Sequence, residues 1–266
     1  MDKKTQRMDK IIEILTTKNG ASTRELASLL GVSEMTIRRD VIILGEKNIV
    51  TNLYGAVIIN PSSENEAYQL DSALTSNYSE KEQLGKFAAS LMSPNDIIIF
   101  DTGSTTEAVA KYVPDDMPLT ILCYNHNILN HLLTKPNIEL IFSGGFYHPN
   151  TQMFESKEGR ELIQSTRATK VFVSAAGVHE TMGITCANGY EIETKRAILQ
   201  SGFEKILVTD SSKFSVIKSA YFAEISEFQA IITDDKITKE WISIIENLGV
   251  TLHIVKQNSS FIQRAL

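Results

Sequence analysis

The stretch STRELASLLGVSEMTIRRDVIIL, residues 22–44, constrains the fold more than any other part of the chain. It holds two helix starts with a single glycine between them. In STRE, Ser22 can cap a helix with Glu25 three residues on, the pattern of a capping box. Leu26, Ala27, Leu29 and Leu30 follow at helical spacing, and Gly31 supplies a stop that tolerates positive φ. Ser33 then caps the next helix after only Gly31-Val32. Two helices joined by so short a turn must cross steeply, which is the helix-turn-helix arrangement. Upstream, Met8, Ile11, Ile12 and Leu15 predict a first amphipathic helix over 5–17.

On the third helix Ile37, Val41 and Leu44 recur at i, i+4, i+7 and face the core. Met35 and Arg39 then point outward, with Thr36 and Arg38 on the flanks. An arginine pair alone is an ordinary solvated helix face. Placed near the start of the second helix of a helix-turn-helix, it becomes the part that enters a DNA major groove. Arginine can pair bidentately with guanine or grip phosphate, while Ser33 and Thr36, and Ser22 and Thr23 of the preceding helix, can bond phosphate oxygens. Asp40 is placed to brace an arginine. Downstream, IVTNLYGAVII alternates around a glycine turn and predicts a β-hairpin wing. The residues leave open whether the wing touches DNA or only packs on the helices.

Charge agrees with this division. Residues 1–58 carry 9 Lys and Arg against 7 Asp and Glu, whereas the remainder carries 17 against 25. A slightly basic head sits on an acidic body. The start interleaves charged and apolar residues unlike a signal peptide, apolar runs are too short to span a bilayer, and Cys123 and Cys186 lack metal-ligand or disulfide spacing. A cytoplasmic protein without membrane, metal or cofactor is expected.

The segment QRMDKIIEIL…STRELASLLGVSEMTIRRDVIIL…YGA resembles the N-terminal domain of the DeoR family of bacterial transcriptional repressors. Two departures are visible: Tyr54-Gly55-Ala56 stands where the family usually has Gly-Gly-Ala, and Thr51-Asn52 where it often has a basic wing residue. Both bear on the wing rather than on the recognition helix.

Residues 59–79 read as a polar linker with a short helix, and the body runs over 80–266. There, DIIIF, LTILC, IELIF, KVFVS, KILVT, QAIIT and TLHIV alternate with helical stretches. This order predicts an α/β domain with a mostly parallel sheet and helices on both faces. Ligands bind such sheets beyond the carboxyl ends of the strands. The residues there are DTGSTT (Asp101, Gly103, Ser104, Thr105, Thr106), Asn125, SGG (Gly144, Gly145) and DSSK with Lys213. In DTGSTT a strand ends, a glycine allows close approach, and a helix opens with hydroxyls. That is a phosphate cradle, although Asp, Ser and Thr also cap ordinary helices. Glu191 and Lys195, four apart on a helix, are either site residues or a surface pair.

The body is similar to the DeoR-family sensor domain, through DTGSTT, SGG, AAGVHETMGITCANGYEIETKRAIL and DSSKF. The resemblance implies a fold like the phosphosugar isomerases and a sugar-phosphate pocket at the residues just named. Features such as CYNHN and DSSKFSVIKSAYF are most similar to members answering to deoxyribose-5-phosphate, which that likeness implies as effector. The expectation is a non-enzymatic repressor of a sugar or nucleoside catabolic operon, homo-oligomeric, released from double-stranded operator DNA by the effector. The alternatives are a sugar-phosphate isomerase with an appended domain, a family member answering to another phosphosugar, or an activator built from the same parts. The five histidines show no metal spacing, Trp241 reads as core or interface, and QNSSFIQRAL has no legible role.

Overall fold

The structure, a computed structural model, describes residues 3–18, 20–47, 49–53, 56–60, 68–256 and 262–264. The head begins with α1 (Lys3–Lys18), β1 (Ala21–Ser22), α2 (Thr23–Leu30) and α3 (Glu34–Glu46), and closes with β2 (Val50–Leu53) and β3 (Ala56–Ile59). Ile11 and Leu15, Leu26 and Ala27, and Ile37, Val41 and Leu44 meet Val50 and Val57 in one buried cluster. The local signals act as their chemistry requires. Ser22 Oγ accepts the Glu25 amide, Ser33 Oγ accepts the Thr36 amide, and Gly31 sits at φ +64°. The positive φ admits the sharp turn at no steric cost only for glycine.

Three local expectations need correction. Glu25 does not close a capping box; its carboxylate takes Lys18 at 2.7 Å, because Ser22 lies in a strand paired with Ala56. Asp40 does brace an arginine, but it is Arg7 of α1, bonded through Nε and Nη2, and not the recognition-helix pair. The wing gains a third strand, β1 on β3, from a two-residue segment too short for any periodicity to reveal. The hairpin turn at Tyr54-Gly55 and linker residues 61–67 lie outside the described residues.

The body opens with α4 (Leu70–Thr75) and α5 (Tyr78–Ala89). There follow β4 (Ile97–Phe100), α6 (Ser104–Lys111), β5 (Leu119–Cys123), α7 (His126–Leu132), β6 (Ile138–Phe142) and the hairpin β7 (Phe146–His148) and β8 (Met153–Glu155). Then come α8 (Lys157–Ser165), β9 (Ala168–Val173), β10 (Gly177–His179), β11 (Gly183–Cys186), α9 (Ile192–Ser201) and β12 (Gly202–Val208). The chain ends with β13 (Ala220–Ala223), β14 (Ala230–Asp234), α10 (Lys239–Asn247), β15 (Thr251–Val255) and β16 (Ile262–Arg264).

One sheet runs β16-β15-β14-β12-β9-β4-β5-β6, parallel throughout except for β16. All seven runs expected as strands lie in it. Strand residues alternate between two cores. Ile98 and Phe100 pack on the side of α5, α6 and α7, and Ile99 packs on the side of α8, α9 and α10. From β4 the chain adds β5 and β6 to one side and β9, β12, β14 and β15 to the other. The carboxyl ends of β4 and β9 therefore flank the point where the winding reverses, where open sheets leave a crevice.

Candidate functional site

A cavity of about 340 Å³ lies at that reversal. Its floor is the start of α6, with Gly103, Ser104 and Thr105, and Thr102 just before it. Gly103 takes φ +134°, and a Cβ there would stand 2.5 Å from Ser174 Oγ, so only glycine fits. The first-turn amides of a helix have no intrahelical acceptor, and the helix dipole adds partial positive charge. This end of α6 is therefore suited to an anion.

Cations collect around it. Lys81, Lys195, Lys213 and Lys218 all line the cavity, with Glu191 as the facing carboxylate. Lys195 is fully committed. Its Nζ lies 2.5 Å from Asp101 Oδ2 and 3.2 Å from the Ser174 carbonyl, with Glu191 at 4.0 Å. Burial disfavours its charge, but Asp101 and Glu191 outweigh burial and hold its pKa above the ordinary lysine value. Asp101 is saturated as well, accepting from Tyr124 Oη at 2.5 Å and the Ser174 amide at 2.9 Å. Glu191 has its pKa raised by burial, against the pull of Lys195 and Asn188. Its Oε1 caps the Asn188 amide and accepts from Asn188 Nδ2.

The other three lysines differ. None of Lys81, Lys213 and Lys218 forms an ion pair with a described residue. Lys81 is buried and donates to the carbonyls of Ala73 at 2.5 Å and Ser76 at 2.7 Å. Burial brings its pKa down to about 8, with Asp210 opposing and Lys213 adding to the fall. Burial and then Lys213 also lower Lys218. Three lysines without carboxylate partners, gathered at one helix start, leave a site short of negative charge.

The cavity brings together part of the set proposed from sequence. Gly103, Ser104, Thr105, Glu191, Lys195 and Lys213 line it. Asp101 stands behind as the partner of Lys195. Thr106 is withdrawn from the lining: its Oγ1 donates to the Gly103 carbonyl at 3.0 Å and is fully buried within the turn. Gly144 and Gly145 are also apart, at the end of the edge strand β6. There a Cβ on Gly145 would stand 2.4 Å from the Glu155 carbonyl, so the glycines serve the entry to β7. Asn125 is buried at the start of α7 outside the lining, and neither of its side-chain polar atoms has a hydrogen-bond partner among the described residues.

Lys81, Lys218, Tyr68, Thr102 and Ser174 line the cavity without having been singled out beforehand. Lys81 sits in a helix of ordinary charged composition, YSEKEQLGKFAA, and carries no local mark. Lys218 belongs to SVIKSAYF, where its only signal is its closeness to DSSK.

On the head, Ser33, Met35, Arg38 and Arg39 are exposed, Met35 at 60%, and Thr36 is half-buried. Ser33 Oγ and Thr36 Oγ1 lie 2.9 Å apart. Arg38 approaches Glu34 only to 3.9 Å, a weak surface pair that leaves both outer arginines available. Ser22 is half-buried and capping. Thr23 is a correction: it is 4% exposed, turned into the head by the same steep crossing that exposes α3, and presents nothing to a DNA surface.

Residues 7–63 match the family model described as the DeoR-like helix-turn-helix domain, and residues 76–235 match the DeoR C terminal sensor domain. The deoxyribose operon repressor of Escherichia coli K12 is 29% identical over 87% of this chain and 91% of its own length. The HTH-type transcriptional regulator GolR of Listeria innocua is 31% identical over 94% of this chain and 98% of its own. The HTH-type transcriptional repressor GlcR of Bacillus subtilis is 27% identical over 95% and 97%. Among solved structures, ribose 5-phosphate isomerase A of Methanocaldococcus jannaschii aligns with a TM-score of 0.40 at 16% identity, over 52% of this chain and 55% of that one. So distant a likeness says nothing about activity.

Proposed function

The chain belongs to the DeoR family of helix-turn-helix transcriptional regulators, and from that premise we propose that it represses a sugar or nucleoside catabolic operon and is released by a phosphorylated sugar. The observation that carries this reading is the set of lysines 81, 213 and 218, without carboxylate partners, around the start of α6. Such a site favours a doubly charged phosphate over a neutral sugar. The outer face of α3 supplies the operator contact, through Arg39 and Arg38 to bases or phosphates and through Ser33 and Thr36 to phosphates.

Deoxyribose-5-phosphate is our choice of effector, supported by the relative named for deoxyribose and by the likeness of CYNHN and DSSKFSVIKSAYF. Glucose-type or other phosphosugars are its competitors. A palindromic operator read by one such helix per half-site calls for at least a two-fold dimer. The effector then acts by linkage: it binds the DNA-incompetent state more tightly, and operator affinity falls by the same factor.

Glu191 favours a second reading, an isomerase, because it is a cavity carboxylate whose pKa burial has raised, as a general base requires. Against it, both oxygens of Asp101 are already engaged, by Tyr124, by Lys195 and by the amide and hydroxyl of Ser174. A gel-shift titration on the gene's own upstream DNA, with a panel of sugar phosphates, tests the first reading. Turnover of ribose-5-phosphate tests the second. Specific binding released by deoxyribose-5-phosphate alone would carry both class and effector; no specific binding together with turnover would reverse the choice.

A further inference from the structure

The cavity has a wall that belongs to neither the sheet nor its helices. Residues 68–77, the stretch that leads from the head into the body, lie across its mouth, and Tyr68, Gln69, Ser72 and Ser76 line it. Leu70 is the buried anchor of this strap, and its amide donates to the Asn150 carbonyl at 2.8 Å. Asp71 accepts from Gln152 at 3.2 Å, and Asn77, at φ +49°, donates to Asp210 at 2.9 Å and Ser212 at 3.1 Å. Leu70 is the strap's one fully buried side chain, with Tyr68, Ala73 and Leu74 half-buried beside it, and so modest a seat is one that a bound ligand can strengthen.

Lys81 joins strap and cavity. Two of its three N–H groups go to the carbonyls of Ala73 and Ser76, at the C-terminal end of α4, where the helix carries only partial negative charge. The third N–H has no acceptor among the described residues, and the side chain lines the same cavity as the start of α6.

We propose that the strap is the sensing element of the effector site: a phosphate held at the start of α6 takes the remaining N–H of Lys81, and the strap closes on the bound sugar through Tyr68, Gln69 and Ser72. Lys81 then bridges ligand and strap carbonyls at once. Occupancy of the cavity becomes tightness of residues 68–77, the part of the chain through which the body is entered. The inference rests on the cavity being the phosphosugar site.

The test is amide hydrogen exchange of the full chain, with and without deoxyribose-5-phosphate, ribose-5-phosphate or inorganic phosphate at concentrations that calorimetry shows to be saturating. In the wild-type protein, exchange over 70–77 is expected to slow at least tenfold with a bound sugar phosphate, and less with inorganic phosphate, which cannot engage Tyr68 or Gln69. Lys81→Met is expected to weaken binding about tenfold or more and to abolish the change in the strap even at saturation. The wild-type comparison needs no variant and stands if Lys81→Met fails to fold. If a sugar phosphate binds, Lys213→Ala weakens it, and exchange over 70–77 does not change, the strap inference is overturned while the cavity reading survives. If no sugar phosphate binds, or Lys213→Ala leaves affinity intact, the cavity reading falls and takes the strap with it.

Discussion

The recognition helix α3 and the cavity helix α6 pose the same chemical offer in opposite settings. Each presents a helix start, hydroxyl side chains and nearby cations. At α3 the Ser33 hydroxyl caps the helix with the Thr36 hydroxyl bonded to it, and the arginines stand in water. At α6, Ser104, Thr105 and Thr106 are buried, and the cations are lysines brought in from three other parts of the chain. An exposed array meets a polyanion by releasing counterions, so its binding is steep in salt. An enclosed site meets one small dianion at low effective dielectric, so its binding is shallow in salt and depends on which lysines stay charged. On the proposed function, one molecule thus holds an extended-anion reader and a small-anion reader, separated by burial.

The comparison is broken most severely at Asp101 and Lys195. Asp101→Asn or Lys195→Met strands a charge that is now fully buried and paired. Such a loss costs on the order of 3–5 kcal/mol, to be read as a lower urea midpoint for the body. An unchanged midpoint would mean that the pair is not buried in solution. Next in size is Arg39→Ala, expected to cost operator binding on the order of 1–3 kcal/mol while leaving effector affinity and fold intact. A loss below about threefold in a filter-binding assay would remove Arg39 from the interface. Lys213→Ala is the mirror experiment. Loss of a charge-assisted bond to phosphate costs about 1.5–3 kcal/mol of effector affinity, and the variant should hold its operator at effector concentrations that release the wild type.

Solution conditions give the smallest and most discriminating effects. Raising salt from about 50 to 200 mM should weaken operator binding by orders of magnitude, and effector binding far less. Raising pH should do the reverse. Lys81 has its pKa lowered to about 8, by burial first, with Asp210 opposing and Lys213 assisting. A phosphate needs the ammonium, so with the phosphate dianionic above about pH 7 effector affinity should be level from there to about pH 8 and fall by up to tenfold per unit above it. Because the folded pKa lies below the unfolded one, folding itself gains as pH rises through 8, so a loss of affinity there is not loss of structure. Effector affinity flat from pH 7 to 9 would take Lys81 out of the phosphate contact.

Much of the molecule is legible in its sequence because its signals are local. Caps, the Gly31 turn and the spacing of Ile37, Val41 and Leu44 are written within a few residues of the structure they make. The seven apolar strand runs announce a parallel sheet because both faces of it are buried. Position after a strand end identified Gly103, Ser104, Thr105 and Lys213 for the same reason: topology assigns carboxyl ends to one edge. That reasoning also overreached. Every strand has a carboxyl end, but the cavity is lined only from those of β4, β9 and β12, neighbours at the middle of the sheet. Gly144 and Gly145 follow the edge strand β6, so they lie away from the cavity. Thr106 shows a finer limit, since a hydroxyl in the right turn can be spent on the turn itself.

The sequence by itself determined the head's helices and hairpin, the seven strands of the parallel sheet, the exposed face of α3 and the glycine-led start of α6, all consequences of short-range periodicity and capping. The tertiary structure alone decided that Lys81 and Lys218, unremarkable in their own helix and loop, stand beside that start, and that the stretch after the head lies over it. It also decided that Asp101 would be consumed by Lys195 rather than offered to a ligand. The physical reason is that a buried charge has no local signature. Its fate depends on what the packing of distant segments places within a few ångströms of it, and desolvation makes that neighbour, not the residue's own sequence context, the larger energy.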